Sequence, residues 1–263
     1  MTADWFVKAP HPAGHGQKEG CAGRWTYTGS GGASDIATSA RLESRHRSTA
    51  MQRRERRSSM IYEVRTYTLK PGSVAEAEKR FGEALAAREK HSKLGAFWHT
   101  DVGPLNQIIH VWPYESLQHR TQVREAAAKE VGWPPKIQEF IETMESEIFI
   151  PAPFMRPLGN QTLGNVYEMR IYTYQPGAMS EVLKRWADSI VDREKLSPLA
   201  ACWYSEIGGL NKFVHIWPYK DLEERARIRA ESQKLPKWPP PTREFLMRQE
   251  NKLLIPAAFS PMK

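Results

Sequence analysis

Residues 107–114 (QIIHVWPY) alternate strictly, with Ile108, His110, Trp112 and Tyr114 on one side and Ile109 and Val111 on the other. Residues 212–219 (KFVHIWPY) repeat the pattern with Phe213, His215, Trp217 and Tyr219. Each run follows a Gly- and Asn-bearing turn, GPLN at 103–106 and GGLN at 208–211, and so reads as the second strand of a hairpin. Its first strand is predicted over 94–101. Residues 61–69 alternate likewise and give an opening strand. After Lys70-Pro71-Gly72, Ser73 and Glu76 have capping-box spacing, and Val74, Ala77, Phe81 and Leu85 recur at helical intervals. Met179, Val182, Trp186 and Ile190 occupy the same places in the second copy, keeping volume while identity changes, as a buried stripe should. A second helix is predicted from Ser116, or from Asp221 with Glu224 completing its box, to about residue 129. Trp-Pro-Pro stops it. A short helix over 136–144 and a strand over 147–150, closed by Pro151, complete the unit.

These elements form a gapless repeat with an offset of 105: Tyr62 falls on Tyr167, Arg88 on Arg193, Trp98 on Trp203 and Trp133 on Trp238. The expected domains are 60–155 and 166–261, joined by the polar connector 156–165. The order β-α-β-β-α-β is the ferredoxin-like arrangement, an α+β fold whose sheet carries helices on one face only. The other face needs a partner. Here the partner lies in the same chain, and the two sheets are expected to face one another as a pseudo-dimeric α/β barrel.

Composition alters this picture at one end. Hydrophobic residues make up 40% of the 263, with nine Trp and nine Phe, enough for packed cores. The net charge of +8 is uneven: residues 1–59 hold ten Lys/Arg and five Asp/Glu, which leaves only +3 elsewhere. The repeats therefore lack the basic stripe of a nucleic-acid binder. Residues 1–59 are rich in Gly, Ser and Arg without apolar period, and disorder is expected there. Three readings compete: translated upstream sequence with Met60 as the true start, a basic tail touching anionic partners, or an organelle presequence. Cys21 and Cys202 make no disulfide framework, which suits a reducing, cytoplasmic setting, or a mitochondrial one if the tail is a presequence. No apolar run is long enough to span a membrane.

The candidate chemistry lies on the strands. On the expected lumen face, Glu63, Arg65 and Tyr67 join Ile108, His110, Trp112 and Tyr114; Glu168, Arg170 and Tyr172 join Phe213, His215, Trp217 and Tyr219. His110 and His215 are the candidate general bases, oriented by Glu63 and Glu168. Arg65 and Arg170 are candidate anion-binding groups, with Tyr67, Tyr172, Trp112 and Trp217 as walls. His99 is an extra imidazole in the first copy, which, with the smaller Ile108, makes the first half the expected ligand site. Against this, Glu and Arg two apart on a strand equally fit a structural ion pair, and a His between Ile and Trp equally fits a bonded core residue. No metal site is expected, because His99 becomes Tyr204 in the second copy. The recurring Trp-Pro-Pro reads as a structural corner.

The motifs YEVRTYTLKPG (62–72) and FWHTDVGPLNQIIHVWPYESLQHR (97–120), with their copies at 167–177 and 202–225, resemble the NIPSNAP family of the dimeric α/β-barrel proteins. The resemblance implies a ferredoxin-like fold, oligomers built through sheet faces, and roles connected with mitochondria and vesicle traffic. It supplies no agreed catalytic residue. Two functions are carried forward: a barrel that binds or transforms a small hydrophobic or aromatic acid without a cofactor, and a non-catalytic oligomeric scaffold.

Overall fold

The structure, a computed structural model, describes residues 60–263; the expectations for residues 1–59 lie outside the described residues. The first repeat runs β1 (Ile61–Leu69), α1 (Val74–Arg88), β2 (Ala96–Val102), β3 (Gln107–Tyr114), α2 (Leu117–Ala127) and β4 (Ile141–Pro151). The second runs β5 (Val166–Tyr174), α3 (Met179–Glu194), β6 (Ala201–Ile207), β7 (Lys212–Tyr219), α4 (Leu222–Ser232) and β8 (Leu246–Pro256). All strand pairs are antiparallel, and the eight strands close into one barrel in the order β1-β3-β2-β8-β5-β7-β6-β4. The sheets thus join at their edges, β2 on β8 and β4 on β6. The hairpins turn through Asn106 and Asn211, both at positive φ, a conformation that asparagine tolerates.

Two local expectations fail for identifiable reasons. The predicted helix over 136–144 is a single 3₁₀ turn, Gln138–Phe140, and residues 141–144 extend along β1, with Met144 opposite Tyr67. Ile137, Phe140, Ile141 and Met144 have helical spacing, but the segment is too short to hold a helix against a sheet edge offering backbone partners. The Ser73 hydroxyl donates to the Lys70 carbonyl and Glu76 takes Arg80, so no capping box forms there. At α2 and α4 the caps do form: Ser116 accepts from the His119 amide and Asp221 from the Glu224 amide, at 3.1 and 2.8 Å.

The two faces of the sheets part company chemically. Inward go the apolar positions: Tyr62, Val64, Trp98, Ile109, Val111 and Phe149 meet Tyr167, Met169, Trp203, Ile216 and Leu254. Tyr62 stacks on Trp203 with centroids 5.6 Å apart, and Trp98 meets Tyr167 at 5.7 Å, so the aromatic contacts cross from one half to the other. Outward lie the helices: Phe81 of α1 packs on Phe97 and His110, and Trp186 of α3 on Phe213 and His215. The set Glu63, Arg65, Tyr67, Ile108, His110, Trp112 and Tyr114, with its second copy, therefore faces the helices and not the lumen. Alternation separates two faces without saying which one curls inward. The lumen takes the face that needs no ionic partner; the helices bring the arginines that the other face requires.

Trp203 is fully buried and contacts Tyr62 and Phe149 across the seam. Trp203→Ala should cost about 3–5 kcal/mol, read as a lowered midpoint in chemical denaturation. A loss below ~1 kcal/mol would show that lumen packing does not hold the halves together.

Candidate functional site

Each half binds one carboxylate between sheet and helix. Glu168 of β5, fully buried, accepts from Arg170 (3.0 Å) beside it and from Arg225 (2.8 Å) and Arg229 (3.3 Å) of α4. Glu63 of β1 does the same with Arg65 (2.7 Å) and Arg120 (2.6 Å), and also accepts from Ser146 (2.8 Å). Burial alone would raise both carboxyls. Hydrogen bonds from Arg120, Ser146 and Arg65 overcome it and bring Glu63 down to about 2, and Arg225, Arg229 and Arg170 likewise hold Glu168 below the usual carboxylate range. Both are ionised anchors: Glu168 is bonded through both oxygens, whereas every donor to Glu63 reaches Oε1 and its buried Oε2 has no hydrogen-bond partner. Arg65 and Arg170 each also donate to a tyrosine, Tyr67 at 2.7 Å and Tyr172 at 2.8 Å.

The histidines are held by their strand neighbours. Trp217 Nε1–H donates to His215 Nδ1 at 2.7 Å, and Trp112 Nε1–H donates to His110 Nδ1 at 2.7 Å. An indole N–H can only donate, so Nδ1 is the acceptor and the ring proton sits on Nε2. Neither Nε2 finds a protein partner, and both imidazoles are 2% exposed. Burial, reinforced by Arg65, pushes His110 down to about 3; burial and Arg170 push His215 down as well. The expected general bases are thus neutral hydrogen-bond donors, because the nitrogen free to face a ligand already carries the proton.

A cavity of about 350 Å³ opens on the helix face of the second half. Its floor is Arg170, Tyr172, His215 and Trp217; α3 contributes Trp186 and Arg193, α4 contributes Arg229, and the Trp238-Pro239-Pro240 corner forms a wall. Arg193 is buried, lies 4.0 Å from the Trp217 ring centroid and donates to Tyr219 Oη at 3.3 Å. Among the described residues it has no carboxylate within ion-pair distance, and burial lowers its pKa. Sequence reasoning missed Arg193 and Arg229, and took Trp186 only for a buried stripe and the roofing Trp238 for a structural corner. A signal was present: Arg88 and Arg193 coincide in the repeat, seven residues beyond Phe81 and Trp186, on the buried side.

The cavity belongs to the half opposite to the one expected. Phe213 does add bulk over Ile108, but that residue lies beneath α3. Near the imidazole the first half has Phe97, stacked on His110 at 5.7 Å, where the second has the small Cys202. Around the rim, Ile137, Ala127, Ala128 and Met144 of the first half become Thr242, Ser232, Gln233 and Gln249, all lining the cavity. His99 is no part of such a site: its Nδ1 lies 2.8 Å from Glu78 of α1, whose hydrogen bond raises its pKa. Burial raises the Cys202 thiol, which keeps it protonated. Among the described residues no three His, Cys, Asp or Glu side chains gather for a metal, and no helix is long and apolar enough to cross a membrane.

The buried histidines make stability depend on pH. A group whose folded pKa lies below its unfolded value near 6.5 destabilises the fold as pH falls through that value, until the folded value is reached. For His110 the window runs from 6.5 to about 3, and His215 adds in the same direction. Each imidazole removes at most about 1.4 kcal/mol per pH unit. In denaturation between pH 6.5 and 5, His110→Gln should show about half the wild-type slope; an unchanged slope would place the sensitivity elsewhere.

The profile of the NIPSNAP family matches residues 62–156 and 167–261. Protein NipSnap homolog 3A of Homo sapiens is 31% identical over 215 residues, covering 78% of this chain and 86% of that protein. The NipSnap homolog of Dictyostelium discoideum is 34% identical over 203 residues, covering 74% and 87%. A provisionally assigned monooxygenase of Lactobacillus acidophilus aligns at TM-score 0.56 over 76% of this chain and 95% of its own, at 10% identity, a likeness of fold alone. With the family profile matched twice over a single closed barrel, the chain belongs to the NIPSNAP family.

Proposed function

We propose that the second half binds a small planar organic anion, a hydrophobic or aromatic acid, in the cavity between its sheet and helices. One observation carries the reading: the buried Arg193 guanidinium, flanked by indoles and without a carboxylate at ion-pair distance, lines the cavity. A buried cation without a counter-ion is costly, and a ligand carboxylate removes that cost. Trp217 and Trp238 provide flat apolar walls, and His215 Nε2–H is an unused donor. Binding fits these groups better than acid–base catalysis does, since Glu168 is locked in ion pairs and His215 holds its proton toward the free side. No cofactor enters this reading.

The duplicated frame provides an internal control. Phenylacetate and benzoate serve as probes in thermal shift and calorimetry. Arg193→Met should weaken binding roughly ten- to a hundredfold, the worth of a charged hydrogen bond. Arg88→Met, its counterpart over Trp112, should leave affinity unchanged. Equal losses from the two variants would refer the effect to general destabilisation, and no stabilisation by any aryl acid would remove the reading.

A further inference from the structure

The cavity adjoins a strand edge that the barrel leaves unpaired. β8 runs against β5 from Leu246 to Leu254, but on its other side β2 covers only residues 253–256. Among the described residues, the outer edge of 246–250 has no strand neighbour, while the Gly103 turn lies against the backbone of Asn251 and Lys252. Met247, Arg248 and Gln249 are exposed, Met247 at 65%. Leu246 and Gln249 of this stretch, with Arg243 just before it, also line the cavity. A row of free main-chain donors and acceptors therefore passes the mouth of a side-chain pocket. Sheets that take up extended peptides use this arrangement: backbone hydrogen bonds supply affinity, and a pocket reads alternate side chains.

We infer that β8 and the cavity together take up an extended acidic peptide, one of whose side chains, anionic or aromatic, enters the cavity. The inference rests on the anion-site reading above and narrows it to a ligand class. Charge argues for it. Arg170, Arg193, Arg229 and Arg243 line the cavity and no acidic residue does. Arg248 stands on the open strand with its side chain 72% exposed, beside Glu250 at 3.1 Å, and the half-buried Lys252 at the far end donates to Gln107.

The other half shows what the edge would look like without this role. β4 is equally unpaired over 141–147, because β6 covers only 148–151. Yet residues 142–147 hold Glu142, Glu145 and Glu147 with no cation, whereas the matching 247–252 hold Arg248 and Lys252 against Glu250. Glu147 is paired with Lys212 and Glu250 with Arg248, so an acidic strand would meet the carboxylates Glu142 and Glu145 on β4 and a net positive edge on β8. The same half that opened the cavity thus also changed the charge of the edge beside it.

The test uses the full chain and an end-capped fluorescent hexapeptide alternating glutamate with valine or phenylalanine, read by anisotropy. Binding is expected, with at least a tenfold loss on N-methylation of alternate peptide bonds and at least a tenfold loss in Arg248→Glu. Phenylacetate should displace the peptide, placing a side chain in the cavity. If phenylacetate binds but the peptide does not, or if N-methylation changes nothing, the peptide inference is overturned while the small-acid reading stands. If neither probe binds, both fail. If the chain instead self-associates with concentration and Arg248→Glu abolishes this, the edge serves a second copy and the peptide inference is again overturned.

Discussion

A carboxylate sealed away from water must be surrounded by donors, and Glu63 and Glu168 impose that condition on the whole architecture. Each sits on one of the two inner strands of its repeat, fully buried, and each reaches arginines on the second helix of its repeat. The ion pairs fix how α2 and α4 lie across the sheets. They also decide which sheet face is covered by helix, and so leave the apolar face to close on its counterpart. Removing one partner of such a group strands a buried charge, at a cost of about 3–5 kcal/mol. The anchors recur in both halves because folding needs them in both. Their repetition is no mark of catalysis.

Against that common frame the two halves have diverged where a ligand would notice. Arg88 and Arg193 occupy equivalent places over Trp112 and Trp217, each bonded to a tyrosine. Their surroundings differ. In the first half Phe97 stacks on His110, and the rim positions are apolar. In the second half Cys202 withdraws bulk, and Thr242, Ser232, Gln233 and Gln249 make the rim polar. A duplicated barrel can keep one copy as scaffold while the other varies, since closure needs both sheets but a cleft on the outer, helix-covered face needs only one. The imidazole behaves alike in both copies, pinned by an indole donor and kept neutral by burial, with its proton on Nε2.

Much of this was legible in the chain alone. The offset of 105 exposed the duplication, the alternation of 107–114 and 212–219 marked the hairpins, and the stripes on α1 and α3 placed their buried sides. These are local periodicities, set by geometry that every strand or helix shares. What tertiary structure decided was long-range. Period-two alternation is symmetric under exchange of faces, so only the reach of Arg120 and Arg225 from distant helices could turn Glu63 and Glu168 outward. The extended course of 141–144 depended on the free edge of β1, which that segment's own spacing does not encode. The cavity is lined by residues from strands, helices and the Trp238-Pro239-Pro240 corner, whose meeting point exists only once the barrel has closed.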